Sequence, residues 1–465
     1  VIDGLKPYPE YKKSDIPWAR VLPSNWQTER AKRLFTKMQR PVRPEDEVVT
    51  CFRDGRVTLR KNRRLRGFTE ATAFSGYQGI RKGDLVIHGM DAFAGAIGVS
   101  DSDGKGTPVY NVCKPNLCIV AGYYAHTIRE MSRAQWILAL AKGIRERSTD
   151  FRYETFGNQF VPLPPPDEQA AIVRFLEHAN GKIERAIRAK KKLIALLNEQ
   201  KQAIIHRAVT RGLNPNAALK PSGIPWLGDI PKHWETRPLK QLLVRMDYGT
   251  SENARGEGRI RVLGMGHIRG GKVFLPEKGS LDTVPPGLDL QKNDLLFNRT
   301  NSPDLVGKVG LFEHDTSEEI TFASYLVRLR IRAEHNPSWL NFLLNSVGFW
   351  GYARSQALVS LHQANLSSSR YARMTLPVPS TRSEQDAIAD AINTNSKPIY
   401  MAIARSEREI ALLLEYRTRL TADVVTGKLD VRAAAANLPD VPLHSTAEPE
   451  VIDSPEEFEA EEIEA

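Results

Sequence analysis

Seven basic residues fall within fourteen positions: Arg53, Arg56, Arg60, Lys61, Arg63, Arg64 and Arg66. Guanidinium groups suit phosphate oxygens and, bidentately, the edge of guanine. Asp54-Gly55 beside Val57-Thr58-Leu59 predicts a hairpin that carries them. A solvated charged hairpin would use the same residues. A second group, His88-Gly89-Met90-Asp91-Ala92-Phe93, follows the apolar run Leu85-Val86-Ile87 and offers His88 and Asp91 as polar contacts. Asn298-Arg299-Thr300-Asn301-Ser302 follows Leu295-Leu296-Phe297 in the same way, and five polar side chains in a row point away from a core. Arg145 and Arg147, then Ser360, His362, Gln363 and Asn365, close two Gly-rich regions. Gln and Asn match adenine edges, whereas Ser and Arg serve phosphate equally well.

Other motifs fall short of chemistry. Gly266-x-x-x-x-Gly271-Lys272 has the spacing of a phosphate loop, but Val273 stands where Ser or Thr must hold Mg²⁺. Asp101-Ser102-Asp103-Gly104 begins like a calcium loop, but Val112 replaces the bidentate Glu, so a surface turn is expected. Cys51, Cys113 and Cys118 lack partners for zinc and read as reduced core thiols. No metal site or cofactor is expected. The chain has no apolar run long enough to span a membrane and no signal pattern, which suits a cytoplasmic protein. Its formal charge is +10, yet residues 433–465 hold ten acids and no Lys or Arg, leaving about +20 on the rest. A body so basic suits a polyanion. The acidic tail has no apolar periodicity and should be disordered; shielding the basic cleft is one role for it.

The elements that position these residues occur twice. Gly4-Leu5-Lys6-Pro7, Ser14, Ile16-Pro17-Trp18, Pro23 and Trp26 return 208 positions later, through Gly212-Leu213-Asn214-Pro215 and Ile224-Pro225-Trp226 to Trp234. Glu168-Gln169-Ala170-Ala171-Ile172 returns 216 positions later as Glu384-Gln385-Asp386-Ala387-Ile388. Each copy has a mixed α/β part with short strands, then a Leu-Pro-x-Pro junction, then helix. Asp167 and Ser383 are expected N-caps. A short helix should end near Asn180-Gly181 or Asn395-Ser396, and a long one follow over 182–209 or 398–425, with Pro398 opening the second. The long helices share an apolar seam: Ile183, Ile187, Ile194, Leu197 and Ile204 match Ile399, Ile403, Ile410, Leu413 and Leu420. Antiparallel packing of these helices would form a rod about 42 Å long. One turn of B-DNA is about 34–36 Å. Lys190-Lys191-Lys192 and Arg405 on this rod read first as a solvated face.

Together these features resemble the DNA-specificity subunit of type I restriction-modification systems. The resemblance rests on the paired Ile-Pro-Trp segments, the paired junctions with Glu-Gln-x-Ala-Ile, the paired helices, and two cores, Lys82–Ser100 and Asn293–Gly310. It implies a pseudo-twofold α/β (α+β) molecule: two target-recognition domains separated by two long antiparallel coiled-coil helices. The expected divisions are an N-terminal segment 1–14, recognition domains 15–160 and 214–375, helical spacers 161–213 and 376–432, and the acidic tail 433–465. It further implies that the chain reads a bipartite site in double-stranded DNA without doing chemistry. Two methyltransferase subunits and, in a full complex, restriction and translocase subunits would use S-adenosylmethionine, ATP and Mg. Consistently, the sequence has no Asn-Pro-Pro-Tyr or Asp-Pro-Pro-Tyr motif of adenine methylation. The alternative is a non-catalytic scaffold that binds protein rather than DNA; a nuclease or NTPase acting alone lacks its motifs. If the helices set a distance, one heptad added to both must lengthen the unspecified part of the recognised DNA, as sequencing of methylated genomic DNA would reveal; an unchanged motif would remove the ruler role.

Overall fold

A computed structural model describes residues 5–63, 76–140, 150–252, 258–314, 318–360 and 363–439. Packing divides the chain into two units, one of residues 1–189 with 409–465, the other of residues 190–408. Each unit therefore holds one globular part and a stretch of both long helices. The reason lies in the cores. Ile172, Phe175, Leu176 and Ala179 join Trp26, Tyr123 and Tyr124 in one cluster, with Leu420, Val424 and Val425. Ile205, Ala208 and Val209 join Trp234 and Trp339 in another, with Ile388, Ala389 and Ile392. The helix ends are thus parts of the globular cores.

Each unit is organised by a short strand that opens on three apolar residues. In the first, Leu85–His88 lies between Tyr110–Pro115 and Ile97–Val99 in an antiparallel sheet whose fourth strand is Phe35–Lys37. In the second, Leu295–Asn298 lies between Leu326–Ile331 and Val309–Leu311 in a six-stranded sheet. Alternate side chains of a strand point to opposite faces. Leu85 and Ile87 enter one core and Val86 another; Leu295 and Phe297 enter one core and Leu296 another. Burial on both faces explains why these runs are unbroken by polar residues.

The turn before each strand is locked by a buried acid. Asp84 accepts the Arg81 amide at 2.8 Å and pairs with Arg40. Asp294 accepts the Gln291 amide at 2.9 Å and pairs with Arg330 at 2.7 Å. A buried carboxylate is tolerable only with such partners. The arginines lie far off in sequence, 44 and 36 positions from their acids, so nothing local announces these pairs.

The duplicated motifs fold alike. Trp26 Nε1 donates to Glu168 at 2.8 Å, and Trp234 Nε1 donates to Glu384 at 2.9 Å. Gln169 accepts the Val120 amide at 3.0 Å, and Gln385 accepts the Asn336 amide at 2.9 Å, each just before a helix of the globular part. Hairpin Tyr11–Lys13 with Val21–Pro23 pairs Tyr11 with Pro23, and Leu219–Pro221 with Asp229–Pro231 pairs Leu219 with Pro231. In the first unit the segment before the first hairpin meets the one after the second long helix, with the Asp430 amide donating to the Lys6 carbonyl at 2.8 Å. Gly212 and Gly427, at φ +69° and +73°, each follow a long helix in the left-handed conformation that closes it.

Three expectations about the helices need correction. Pro166–Arg211 and Arg382–Val425 are each one continuous helix, of 46 and 44 residues, rather than a short helix followed by a long one. Pro398 lies inside the second, where it supplies no amide for the Thr394 carbonyl. It is exposed, so that carbonyl can reach water, while Ile392 and Ile399 on the buried face hold the helix across the defect. The caps also shift: Pro166 occupies the first helical position, and Thr381, not Ser383, accepts the Glu384 amide at 3.2 Å. The seam is graded. Ile183, Ile187, Ile399 and Leu420 are buried, whereas Ile194, Leu197, Ile204, Ile403, Ile410 and Leu413 are half-buried, and the neighbouring Ile205 is buried in place of Ile204. Within each unit the helix segments run antiparallel: Glu184 faces Arg417 at 3.9 Å in the first, and Lys201 lies over the Tyr400 ring at 4.8 Å in the second.

Glu168 also accepts from Tyr8 and Asn25, whereas the Glu384 carboxylate, among the described residues, bonds to Trp234 and the exposed His233. Removing a buried acceptor leaves its donors unpaired. Glu168→Ala should therefore cost about 3 kcal/mol and Glu384→Ala about 2 kcal/mol in urea unfolding; a larger loss for Glu384→Ala would contradict this assignment.

Candidate nucleic-acid interface

In the first unit Val49–Cys51 pairs with Val57–Leu59, forming the expected hairpin with Asp54-Gly55 in its turn. Buried Val49, Cys51 and Val57 anchor it, and Thr58 is buried with them. Arg53, Arg56 and Lys61 are well exposed and paired with Asp91, Glu184 and Glu47 at 3.1, 3.9 and 2.5 Å. Exposed pairs of this kind stabilise little, so a phosphate can replace the carboxylate at small cost. Arg60 Nε donates to Thr50 at 3.3 Å. Arg63 is different: it pairs with Asp54 at 2.8 Å, stacks over Phe52 at 4.5 Å, and has a side chain only 20% exposed. It braces the hairpin. Burial acts to raise the Asp54 carboxyl, but Arg63 and the Arg56 amide outweigh it and hold the group below its usual range.

The Arg53–Asp91 pair brings together two segments that are separate in sequence. His88 lies between the Tyr110 ring, 5.0 Å away, and Asp91 at 3.5 Å. Its Nδ1 accepts the Asp91 amide at 3.2 Å. Burial depresses its pKa, so a neutral ring offers Nε2–H as donor at pH 7. Phe93 packs on the core. Beneath the hairpin Arg129 lies against Gly55, and its Nε is buried without a hydrogen-bond partner among the described residues. Its position within an apolar-patterned helix gave no sign of this in the sequence.

In the second unit the five-residue polar run alternates. Asn298 and Thr300 are buried and Arg299, Asn301 and Ser302 are half-buried. The run continues the strand before pairing elsewhere, so every second side chain turns inward; as surface contacts, Asn298 and Thr300 are therefore set aside. Thr300–Asn301 joins Gln363–Asn365 and Leu358–Ser360 in a three-stranded sheet, with Thr300 opposite Asn365. Ser360, Gln363 and Asn365 are exposed there, beside exposed Leu358 and Val359. Arg64, Arg66, Arg145, Arg147, His362 and the tail from 440 onward lie outside the described residues.

Two motifs end as turns. Arg269 and Lys272 close a hairpin, whereas a phosphate loop must lead into a helix. Asp103 accepts the Lys82 amide at 2.9 Å beside Arg43. Cys51 and Cys113 are buried and pushed up to about 12 by burial, but Cys118 is exposed and so is no core thiol. Among the described residues no helix is long and apolar enough to cross a membrane.

No protein-family model matches the sequence. The chain is similar to the type I restriction enzyme EcoKI specificity subunit of Escherichia coli (strain K12), 24% identical over 243 residues, 50% of each protein. It is also similar to the putative type I restriction enzyme MjaX specificity subunit of Methanocaldococcus jannaschii, 22% identical over 173 residues, which are 36% of this chain and 40% of that protein. The chain thus spans about half the length, or less, of the curated relatives it matches. A solved chain from work on complex assembly and conformational transition of the type I R-M system aligns with a TM-score of 0.62 at 15% identity, covering 87% of this chain and 98% of that one. This likeness establishes a shared fold. The resemblance carried by the paired motifs is therefore met by homologues of the same name.

His126, on the helix Ala121–Arg133, is pushed down to about 4, first by burial and then by Arg129 and Arg133. A histidine depressed on folding takes up its proton more readily when unfolded. Its contribution is complete above the ordinary histidine value of 6.5 and is lost as pH falls from there toward about 4. Urea titrations across that window should show His126→Gln with a flatter pH dependence than the parent chain; identical slopes would contradict it.

Proposed function

We propose that the chain is the DNA-specificity subunit of a type I restriction-modification enzyme. It recognises a bipartite site in double-stranded DNA, and partner subunits methylate adenine or cut. The observation that carries this reading is a repeated scaffold with unlike surfaces. Both units have the same Trp–Glu and Gln–amide bonds, the same hairpin register and the same buried Asp–Arg turn. Their polar residues at and near the surface differ: an arginine hairpin joined to half-buried His88 and Asp91 in one, and half-buried Arg299 with exposed Asn365, Gln363 and Ser360 in the other. A duplication that keeps its frame and changes its polar face suits two readers of two different sequences. Arg53, Arg56 and Lys61 serve phosphate positioning, which sets affinity and its salt dependence.

The long helices would dock methyltransferase subunits, as the family resemblance implies. Their exposed apolar residues Leu193, Leu196, Leu412 and Leu414 suit such a role. The same residues are what a pure protein scaffold would show, so DNA binding must be measured directly. In a gel shift with duplex DNA, Arg53→Ala with Arg56→Ala should weaken binding about 10-fold or more and lower the salt slope by about 2. Unchanged affinity and slope, or no binding by the parent chain with or without a methyltransferase partner, would favour the scaffold.

A further inference from the structure

Arg299 is held as few surface arginines are. Its backbone is fixed from both sides, with its amide donating to the Tyr325 carbonyl at 3.1 Å and its carbonyl accepting the Leu366 amide at 2.8 Å. Its neighbours Asn298 and Thr300 are buried, so the residue cannot slide along the sheet. The guanidinium carbon lies 5.1 Å over the Tyr248 ring. Nη2 donates to Asn365 Oδ1 at 3.3 Å, at the exposed end of the side chain. Nε is buried and has no hydrogen-bond partner among the described residues. Tyr248 is anchored in turn by a hydrogen bond between its hydroxyl and Ser368.

We propose that Arg299 reads a guanine in the DNA half-site facing the second unit, and that Tyr248 and Asn365 are the positioning residues that aim it. This rests on the DNA-recognition reading above. A guanidinium has five donors in a rigid plane, and guanine offers N7 and O6 to two of them. Tyr248 sets that plane by stacking, and Asn365 takes one donor, so the rotamer is chosen before DNA arrives. An arginine that only neutralised phosphate would need no such orientation. The surroundings agree: Leu358, paired with Asn365, and Val359 beside it are exposed aliphatics, 71% and 62% accessible. Apolar groups next to a planar donor suit base edges and thymine methyls better than a phosphate ridge.

The first unit has no counterpart. The residue after its central strand is Gly89, where Arg299 follows Leu295–Asn298. A Cβ at Gly89 would lie 2.9 Å from the Val109 carbonyl oxygen and 3.5 Å from that of Phe151. A side chain is excluded there without backbone movement. The guanine reader belongs to one half-site, and the two halves differ at this point.

Selection of bound sequences from a random duplex library by the full-length chain tests the assignment. The parent should enrich a two-part motif with an invariant guanine in one part. Arg299→Ala and Arg299→Lys should each lose the preference for that guanine, by about 10- to 100-fold, and keep the preferences of the other part, which also shows that the variants fold. Tyr248→Ala should weaken the same preference, and Tyr248→Phe, which keeps the ring, should retain most of it. Equal loss of affinity for all sequences in Arg299→Ala would make Arg299 a phosphate contact and overturn the proposal. An unchanged motif would overturn it as well. Failure of the parent chain to enrich any motif would instead strike the DNA-recognition reading beneath it.

Discussion

The bond from a buried tryptophan to a glutamate at the start of a long helix holds each unit together. Trp26 and Trp234 are fully buried, and an indole N–H in such a place must find an acceptor. Glu168 and Glu384 supply it from the first turn of their helices, where a negative charge also favours the exposed amides. The next residue, Gln169 or Gln385, holds the start of a helix in the globular part. Two adjacent side chains thus tie the entry hairpin, the long helix and the sheet-bearing part to one point. Outward of that point the two units keep the buried Asp–Arg turn but not the polar surface beyond it.

What changed is the polar face at the ends of the central strands. In the first unit a hairpin carries arginines in its turn and just beyond its second strand, Val57–Leu59, and Arg53 reaches Asp91 to join hairpin and loop. In the second, the chain beyond the strand makes a small sheet with the segment just before the proline junction. The hairpin is anchored by Val49, Cys51 and Val57 in one core, and the second device continues a strand whose apolar side chains enter cores on either side, so the polar residues are carried by rigid elements. A reading surface needs that rigidity, since a loosely held side chain loses discrimination along with affinity.

Much of this was legible in the sequence, for physical reasons that differ by element. The repeat was plain because Trp26 and Glu168 return as Trp234 and Glu384 and make the same bond in both copies. Unbroken apolar runs announced the doubly buried strands. The arginine hairpin was visible through Asp54-Gly55 and its flanking β-branched residues. Other features were hidden because they depend on partners distant in the chain. Nothing near Asp294 points to Arg330, and nothing near Arg299 points to Tyr248 or Asn365. The polar run after Phe297 misled because alternation along a strand, not composition, decides which side chains face out. Pro398 and Gly181 suggested breaks in the helices, yet buried neighbours on the core-facing side outweighed the local preference.

On the proposed function, one scaffold presents two different readers to one duplex. Sequencing of genomic DNA from cells that express the chain with its methyltransferase partner tests it most directly. The account requires methylated adenines within a motif of two unlike specified parts separated by unspecified bases. A single uninterrupted motif, or methylation independent of the chain, would contradict it.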